Sequence, residues 1–171
     1  MRTLLRRATV AATCLGTLGG AAVVMAPPAM AASCNTTTKT VDDRGYSGPW
    51  ADNWTIKATM CSYRSGSYIY SYAKLSWDVP SSYPNPTPRT FDAAKFRVAL
   101  KKSVSGATDP VRAHRDFGLE GRMESGDGSY TTPTFRHAIS RYALGDGAWK
   151  LNWNNDGDGY VNYKVTASPR V

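Results

Sequence analysis

Apolar and polar residues alternate along much of the chain, most clearly between residues 67 and 79. A period of two is the signature of a β-strand with one buried face. The predicted core face carries Ile69, Ala73, Leu75, Trp77 and Val79. The opposite face carries Tyr68, Tyr70, Tyr72, Lys74 and Asp78. We therefore predict a strand that turns its tyrosines away from the core.

Six further segments alternate in the same way or are rich in β-branched and aromatic residues, so each predicts a strand. They cover residues 35–41, 54–60, 95–104, 111–123, 149–153 and 161–165. In the segments 95–104 and 111–123 the predicted inward residues are Phe96, Val98, Leu100, Val104, Val111, Ala113, Phe117, Leu119 and Met123. Lys95, Arg97 and Lys101 are then expected to face outward.

The segment 135–144 fits two elements. Phe135, Ala138, Ile139 and Tyr142 match helical spacing, and Gly145 could cap the end of such a helix. Ten residues between two turn clusters could equally form a strand. We favour a strand because the neighbouring segments are strands.

This set of strands predicts an all-β fold. All 19 aromatic residues follow residue 45, and turn residues recur every 10 to 15 positions. Alternating strands bury their apolar faces only if two sheets pack together or one sheet closes on itself. The expected fold is an antiparallel β-sandwich or small barrel.

The first 31 residues are typical of a cleaved secretory signal peptide. Three arginines precede an uncharged apolar stretch, and Ala29-Met30-Ala31 matches the small-residue cleavage pattern. Its alanine-rich composition is typical of bacteria. The predicted domains are therefore a signal peptide at 1–31 and one β-domain at 32–171, secreted to the extracellular space, with no stable membrane insertion.

Cleavage would leave two cysteines, Cys34 and Cys61, because Cys14 would leave with the signal peptide. An even cysteine count in an exported chain predicts one disulfide bond. Closing a loop of this size stabilises the fold by about 3 kcal/mol.

The row of Tyr68, Tyr70 and Tyr72 is the most unusual surface feature that the sequence predicts. Tyrosine offers flat apolar area with a polar tip, which suits docking of a protein or stacking on a sugar. The alternative is that a loop covers this face.

A proline-rich loop at 80–90, from Pro80 to Thr90, is the second candidate binding segment. Its four prolines restrict φ and exclude a central strand, so the loop should be stiff and extended. Pro84, Pro86 and Arg89 are the residues expected to meet a partner. The same features would suit a secreted protease inhibitor, with Arg89 entering a trypsin-like pocket.

His114 and His137 are the only histidines and the basis of an enzymatic alternative, a small secreted hydrolase or nuclease. Period-two parity would place Arg112, Glu120 and Arg122 on the same strand face as His114. Polar strand faces often carry such residues without chemistry, and the sequence holds no G-x-S-x-G, H-E-x-x-H or P-loop. We expect no enzymatic activity and no catalytic residues.

The segment 154–159 resembles the start of a calcium-binding EF-hand loop. Asn154 stands where the motif has Asp, and Val165 stands where it has the bidentate Glu. The flanks also read as strands rather than helices. We expect no metal and no cofactor, and interpret the segment as a glycine-rich turn.

Charge narrows the class of partner. The chain carries 21 basic and 13 acidic residues, and loss of three signal-peptide arginines lowers the net charge from +8 to +5. Such a modest, dispersed charge argues against nucleic acid as the partner. We expect a secreted non-catalytic binding protein that recognises a secreted protein or a cell-surface polysaccharide. One such role is adaptor or subunit of a larger secreted assembly, for example an antibacterial toxin particle.

Overall fold

A computed structural model describes residues 31–44, 46–48, 52–80, 90–154 and 156–171. The predicted signal peptide lies outside the described residues except for Ala31. Nine strands and one helical turn occur in the described chain: β1 (Ser33–Val41), β2 (Trp54–Ser65), β3 (Tyr68–Asp78), β4 (Phe91–Lys102), β5 (Val111–Gly118), α1 (Glu120–Met123), β6 (Gly128–Thr131), β7 (Phe135–Ala138), β8 (Ala143–Trp153) and β9 (Val161–Lys164). The predicted all-β fold is confirmed, and every strand pair is antiparallel.

The first sheet has five strands and is centred on β3. Strand β2 pairs with β3 along its whole length, and β1 pairs with the far side of β2. The other side of β3 is shared, because β7 pairs with its first four residues and β6 with a later stretch. This arrangement surrounds the predicted tyrosine strand on both sides.

The second sheet has four strands in the order β5-β4-β8-β9. After β9, the chain continues along β8 through backbone hydrogen bonds from Val165 to Gly147 and from Ser168 to Gly145. The last described stretch therefore extends the sheet edge without regular strand geometry.

Residues of both sheets contribute to one core. Trp54 and Trp77 come from the first sheet, and their rings lie 6.2 Å from Trp153 and 6.4 Å from Trp149 of the second. All four indoles are buried. Large aromatic side chains bury more apolar area than any others, so these contacts account for much of the attraction between the sheets.

Small residues let the two sheets approach at one end of the core. A Cβ atom at Gly145 would lie 2.1 Å from the hydroxyl oxygen of Ser71, and one at Gly147 would lie 2.9 Å from the sulfur of Met60. The hydroxyl of Ser168 donates to that of Ser62 over 2.8 Å and accepts from the Gly145 backbone N–H. A buried serine network therefore replaces apolar packing here.

Two inward-facing predictions are wrong. Strand β4 starts at Phe91 and ends at Lys102, so Val104 lies in the following turn and is exposed. Val111 is 51% exposed because a register irregularity between β4 and β5 shifts it outward.

The segment 111–123 is a strand only as far as Gly118, and α1 follows. Leu119 and Met123 are buried as predicted, but they reach the core through helical i, i+4 spacing.

The segment 135–144 forms strand β7 at its start, as favoured, and the first residues of β8 at its end. Gly145 lies inside β8 and caps no helix. The predicted Cys34–Cys61 disulfide is confirmed, and it joins directly paired residues of β1 and β2.

Candidate functional site

The tyrosines of β3 lie on the outer face of the five-stranded sheet, as their parity predicts. Tyr68 is 43% exposed, and Tyr70 and Tyr72 are half-buried, whereas Ile69 and Ser71 between them are fully buried. Because β3 is central in its sheet, the stretch that carries Tyr68 and Tyr70 has a paired strand on both sides.

Two neighbouring strands add residues that the sequence did not indicate. Tyr63 of β2 pairs with Tyr70 across the sheet, and their rings stack at 4.9 Å with planes 7° apart. The Tyr68 ring lies 6.5 Å from that of Tyr70, tilted by 53°. The guanidinium of Arg136 in β7 lies 5.3 Å from the centroid of Tyr68 and donates to the Tyr70 hydroxyl over 3.5 Å. We call Tyr63, Tyr68, Tyr70 and Arg136 the tyrosine–arginine cluster.

The cluster orders its own cation. The hydrogen bond with Tyr70, followed by electrostatic interaction with the same side chain, raises the pKa of Arg136 above its ordinary value. Arg136 is exposed, so its charge remains available to a ligand. An aromatic cluster with a fixed guanidinium is typical of protein-binding surfaces.

Tyr72 lies at the other end of the row. Its cross-strand partner is Cys61, and the disulfide continues from there to Cys34 at the edge strand β1. Tyr72 therefore lies on the predicted face, but beside the disulfide and outside the tyrosine–arginine cluster.

A crevice of about 490 Å³ opens beside the cluster. Its walls include Tyr63, Tyr70 and Arg136, together with Arg115 and Phe135. The Arg115 guanidinium lies 5.2 Å from the Phe135 ring. The crevice thus combines aromatic walls with two guanidinium groups, a composition that suits a polar or acidic side chain of a partner.

Most of the proline-rich loop, residues 81–89, lies outside the described residues. Pro84, Pro86 and Arg89 lie outside the described residues, so their predicted role stays a prediction. The two ends of the loop, Pro80 and Thr90, are both buried.

The two histidines belong to different sheets, His114 to β5 and His137 to β7. Glu120 and Arg122 lie in α1, so the prediction that they share a strand face with His114 is wrong. In the described part of the chain, neither imidazole hydrogen-bonds to another side chain or pairs with a carboxylate.

The segment 154–159 uses its carboxylates within the fold. Asp158 pairs with Arg44 over 3.5 Å, and the Asp158 backbone N–H donates to the Asp156 side chain over 2.9 Å. Gly157 and Gly159 both have positive φ, which is the geometry of a tight turn. Across the described ranges, no group of three or more His, Cys, Asp or Glu residues is arranged to hold a metal ion.

No protein-family model, curated protein or solved structure matches this chain. Among the residues that the structure describes, no helix has the length and apolar character needed to cross a membrane.

Proposed function

We propose that this chain is a secreted, non-catalytic β-sandwich that binds a protein partner through the tyrosine–arginine cluster. The observation that carries the proposal is the packing of Tyr63, Tyr68, Tyr70 and Arg136 into one partly exposed group on a continuous sheet. Tyrosine and arginine are among the residues most enriched at the centres of protein interfaces.

The ring geometry favours a protein over a polysaccharide. A sugar stacks on the open face of an aromatic ring, but Tyr63 and Tyr70 each direct one ring face at the other. Arg136 lies over the Tyr68 ring. Stacking covers one face of each of these two rings, and the ring edges, hydroxyls and guanidinium around them match the mixed apolar and polar surface of a protein.

The cluster is ordered before any partner arrives. Ring stacking fixes Tyr63 and Tyr70, and Arg136 contacts both Tyr68 and Tyr70. Binding therefore loses little side-chain entropy, which otherwise costs about 0.5–1.5 kcal/mol for each immobilised side chain.

The proposed location and architecture rest on separate observations. A disulfide persists mainly in oxidising compartments, which fits export directed by residues 1–31. Two antiparallel sheets that share a core of indoles support the sandwich architecture. A small domain with a binding face suits the role of adaptor or subunit of a larger secreted assembly.

The experiment compares three variants of the secreted protein. The first variant is Tyr68→Ser/Tyr70→Ser and the second is Arg136→Gln. The matched control is Tyr142→Ser, which removes a tyrosine that is 70% exposed and lies outside the cluster. Each tagged protein is used for pull-down from culture medium, and thermal melts are recorded in parallel.

We expect the Tyr68/Tyr70 variant to lose at least tenfold in affinity for the captured protein, since each interface anchor contributes about 1–2 kcal/mol. Arg136→Gln should weaken binding by a smaller factor, and Tyr142→Ser should not change it. All three melts should stay within a few degrees of the parent. Unchanged capture by the tyrosine variant contradicts the proposal, and loss of binding to insoluble wall polysaccharide alone would favour a sugar ligand.

A further inference from the structure

The outer face of the four-stranded sheet carries a group of basic residues. Register and alternation place Lys95, Arg97 and Lys101 of β4 on this face, with Lys150 of β8 and Lys164 of β9 beside them. The acidic residues in the same described face are Asp116 and Asp146. Five cations against two carboxylates leave a net charge of +3. We call this surface the cationic face.

Most of these cations are held in place. Asp116 accepts two hydrogen bonds from Arg97, at 2.6 and 2.9 Å, and pairs with Lys95 at 3.3 Å. Lys101 pairs with Asp146. Ion pairs therefore hold Lys95, Arg97 and Lys101 in defined positions on the cationic face.

Two of the five cations have no carboxylate within 4.0 Å in the described chain, namely Lys150 and Lys164. Lys95 and Lys150 are directly paired across β4 and β8, and their ammonium groups lie 4.3 and 5.3 Å from the same Tyr160 ring. Desolvation and then the nearby charge of Arg97 lower the pKa of Lys150. Asp116 offsets part of the repulsion that Arg97 and Lys95 exert on Lys150, and an added anion would relieve the rest.

The floor of the cationic face is apolar. Ala99, Ala148 and Gly147 line a shallow crevice of about 220 Å³, and Val111 forms part of its wall. Three cations and one carboxylate surround it, namely Arg97, Lys101, Lys164 and Asp146. Val111 is 51% exposed because of the register irregularity between β4 and β5.

We propose that the cationic face is a second binding surface, and that it takes an acidic polypeptide segment. Carboxylates of the segment would pair with Lys150 and Lys164, and an apolar side chain next to them would enter the crevice over Ala99 and Ala148. An inorganic or sugar-phosphate polyanion would use the cations but leave the apolar floor unused. The combination of charge and apolar floor therefore selects a polypeptide.

This surface is separate from the tyrosine–arginine cluster, because the two faces belong to different sheets with the shared core between them. The inference does not depend on the proposed function, and a failure of one leaves the other intact.

The test uses soluble probes and the full secreted protein. The probes are a random copolymer of Glu, Ala and Tyr, polyglutamate, and polyphosphate of similar chain charge. The charge variant is Lys150→Glu/Lys164→Glu, with Lys150→Gln/Lys164→Gln as a milder form. The matched control is Lys57→Glu/Lys74→Glu, which makes the same charge change at exposed lysines of the other sheet. Val111→Ser probes the apolar contact.

We expect the copolymer to bind more tightly than either pure polyanion at physiological salt. Lys150→Glu/Lys164→Glu should weaken copolymer binding at least tenfold, and Lys150→Gln/Lys164→Gln should weaken it less. The control variant Lys57→Glu/Lys74→Glu should change copolymer binding no more than twofold. Val111→Ser should weaken the copolymer severalfold and leave polyphosphate unaffected. Melting temperatures of all variants establish that they are folded.

Two results would overturn the proposal. If Lys150→Glu/Lys164→Glu and Lys57→Glu/Lys74→Glu weakened copolymer binding equally, the effect would come from net charge and not from the cationic face. Tighter binding of polyphosphate than of the copolymer, insensitive to Val111→Ser, would assign the face to a polyanion instead of a polypeptide.

Discussion

At the scale of one residue, Asp116 is the carboxylate that pairs with two neighbouring cations of the second sheet. The hydrogen bonds from Arg97, supported by Lys95, lower the pKa of the Asp116 carboxyl from its usual 3.8 to about 2. Burial opposes this shift but does not outweigh it. The carboxylate therefore stays ionised throughout the physiological pH range and anchors two cations at once.

A depressed carboxyl pKa makes a stability contribution that is complete above the unfolded value and is lost as pH falls from about 3.8 to about 2. We expect Asp116→Asn to lower the free energy of unfolding at pH 7 by about 1 kcal/mol, a value reduced by solvent screening of this partly exposed pair. At pH 2 the difference from the parent should shrink. Urea unfolding at both pH values measures it.

The matched control for this prediction is Asp92→Asn, at an exposed position near the start of the same sheet's strand β4. It should leave stability unchanged within about 0.5 kcal/mol at either pH. An Asp116→Asn variant equally destabilised at pH 2 and pH 7 would contradict the assignment of the effect to ionisation.

At the scale of elements, strand β1 depends on a covalent link. It is an edge strand that pairs only with β2 in the described chain, and Cys34 lies near its start. The side chains on much of its length are exposed, so burial alone holds it weakly. The disulfide to Cys61 ties this edge to the fully buried interior of β2.

We expect Cys34→Ala/Cys61→Ala to lower the free energy of unfolding by about 3 kcal/mol, because the bond closes a loop between residues 27 positions apart. Amide hydrogen exchange should accelerate most in β1 and least in β4. The measurement is native-state exchange followed by mass spectrometry. Uniform acceleration in all strands would show that β1 does not open independently, and an unchanged β1 would contradict its dependence on the bond.

At the scale of the whole molecule, the two sheets depend on each other. Trp54 and Trp77 of one sheet pack against Trp153 and Trp149 of the other, so neither sheet keeps a complete core alone. The serine network through Ser62 and Ser168 adds polar links between them. Separation of the sheets would expose four indoles to water at once.

We therefore expect one cooperative unfolding transition. Tryptophan fluorescence reports the packing between the sheets, and far-ultraviolet circular dichroism reports the strands. The two urea curves should share one midpoint and one slope. Fluorescence that changes at clearly lower urea than circular dichroism would mean that the sheets separate before they unfold.

The extent of sequence-based prediction differs between the fold and the site. The outward direction of Tyr68, Tyr70 and Tyr72 follows from period-two alternation, which is local and needs no partner strand. Tyr63 lies on the same face, but the alternation in the sequence predicts a strand that ends at Met60, so it does not place Tyr63. Arg136 could not be placed at all, because only the pairing of β7 with β3 brings it to Tyr70.

The sequence by itself determined the all-β class, most of the strands and the disulfide. These follow from alternation between neighbouring residues and from the even number of cysteines after the predicted signal peptide, and both patterns are readable along a single chain. Tertiary structure alone decided which strands meet. The tyrosine–arginine cluster and the cationic face both depend on register between segments far apart in sequence, and that register is set by packing of the shared core.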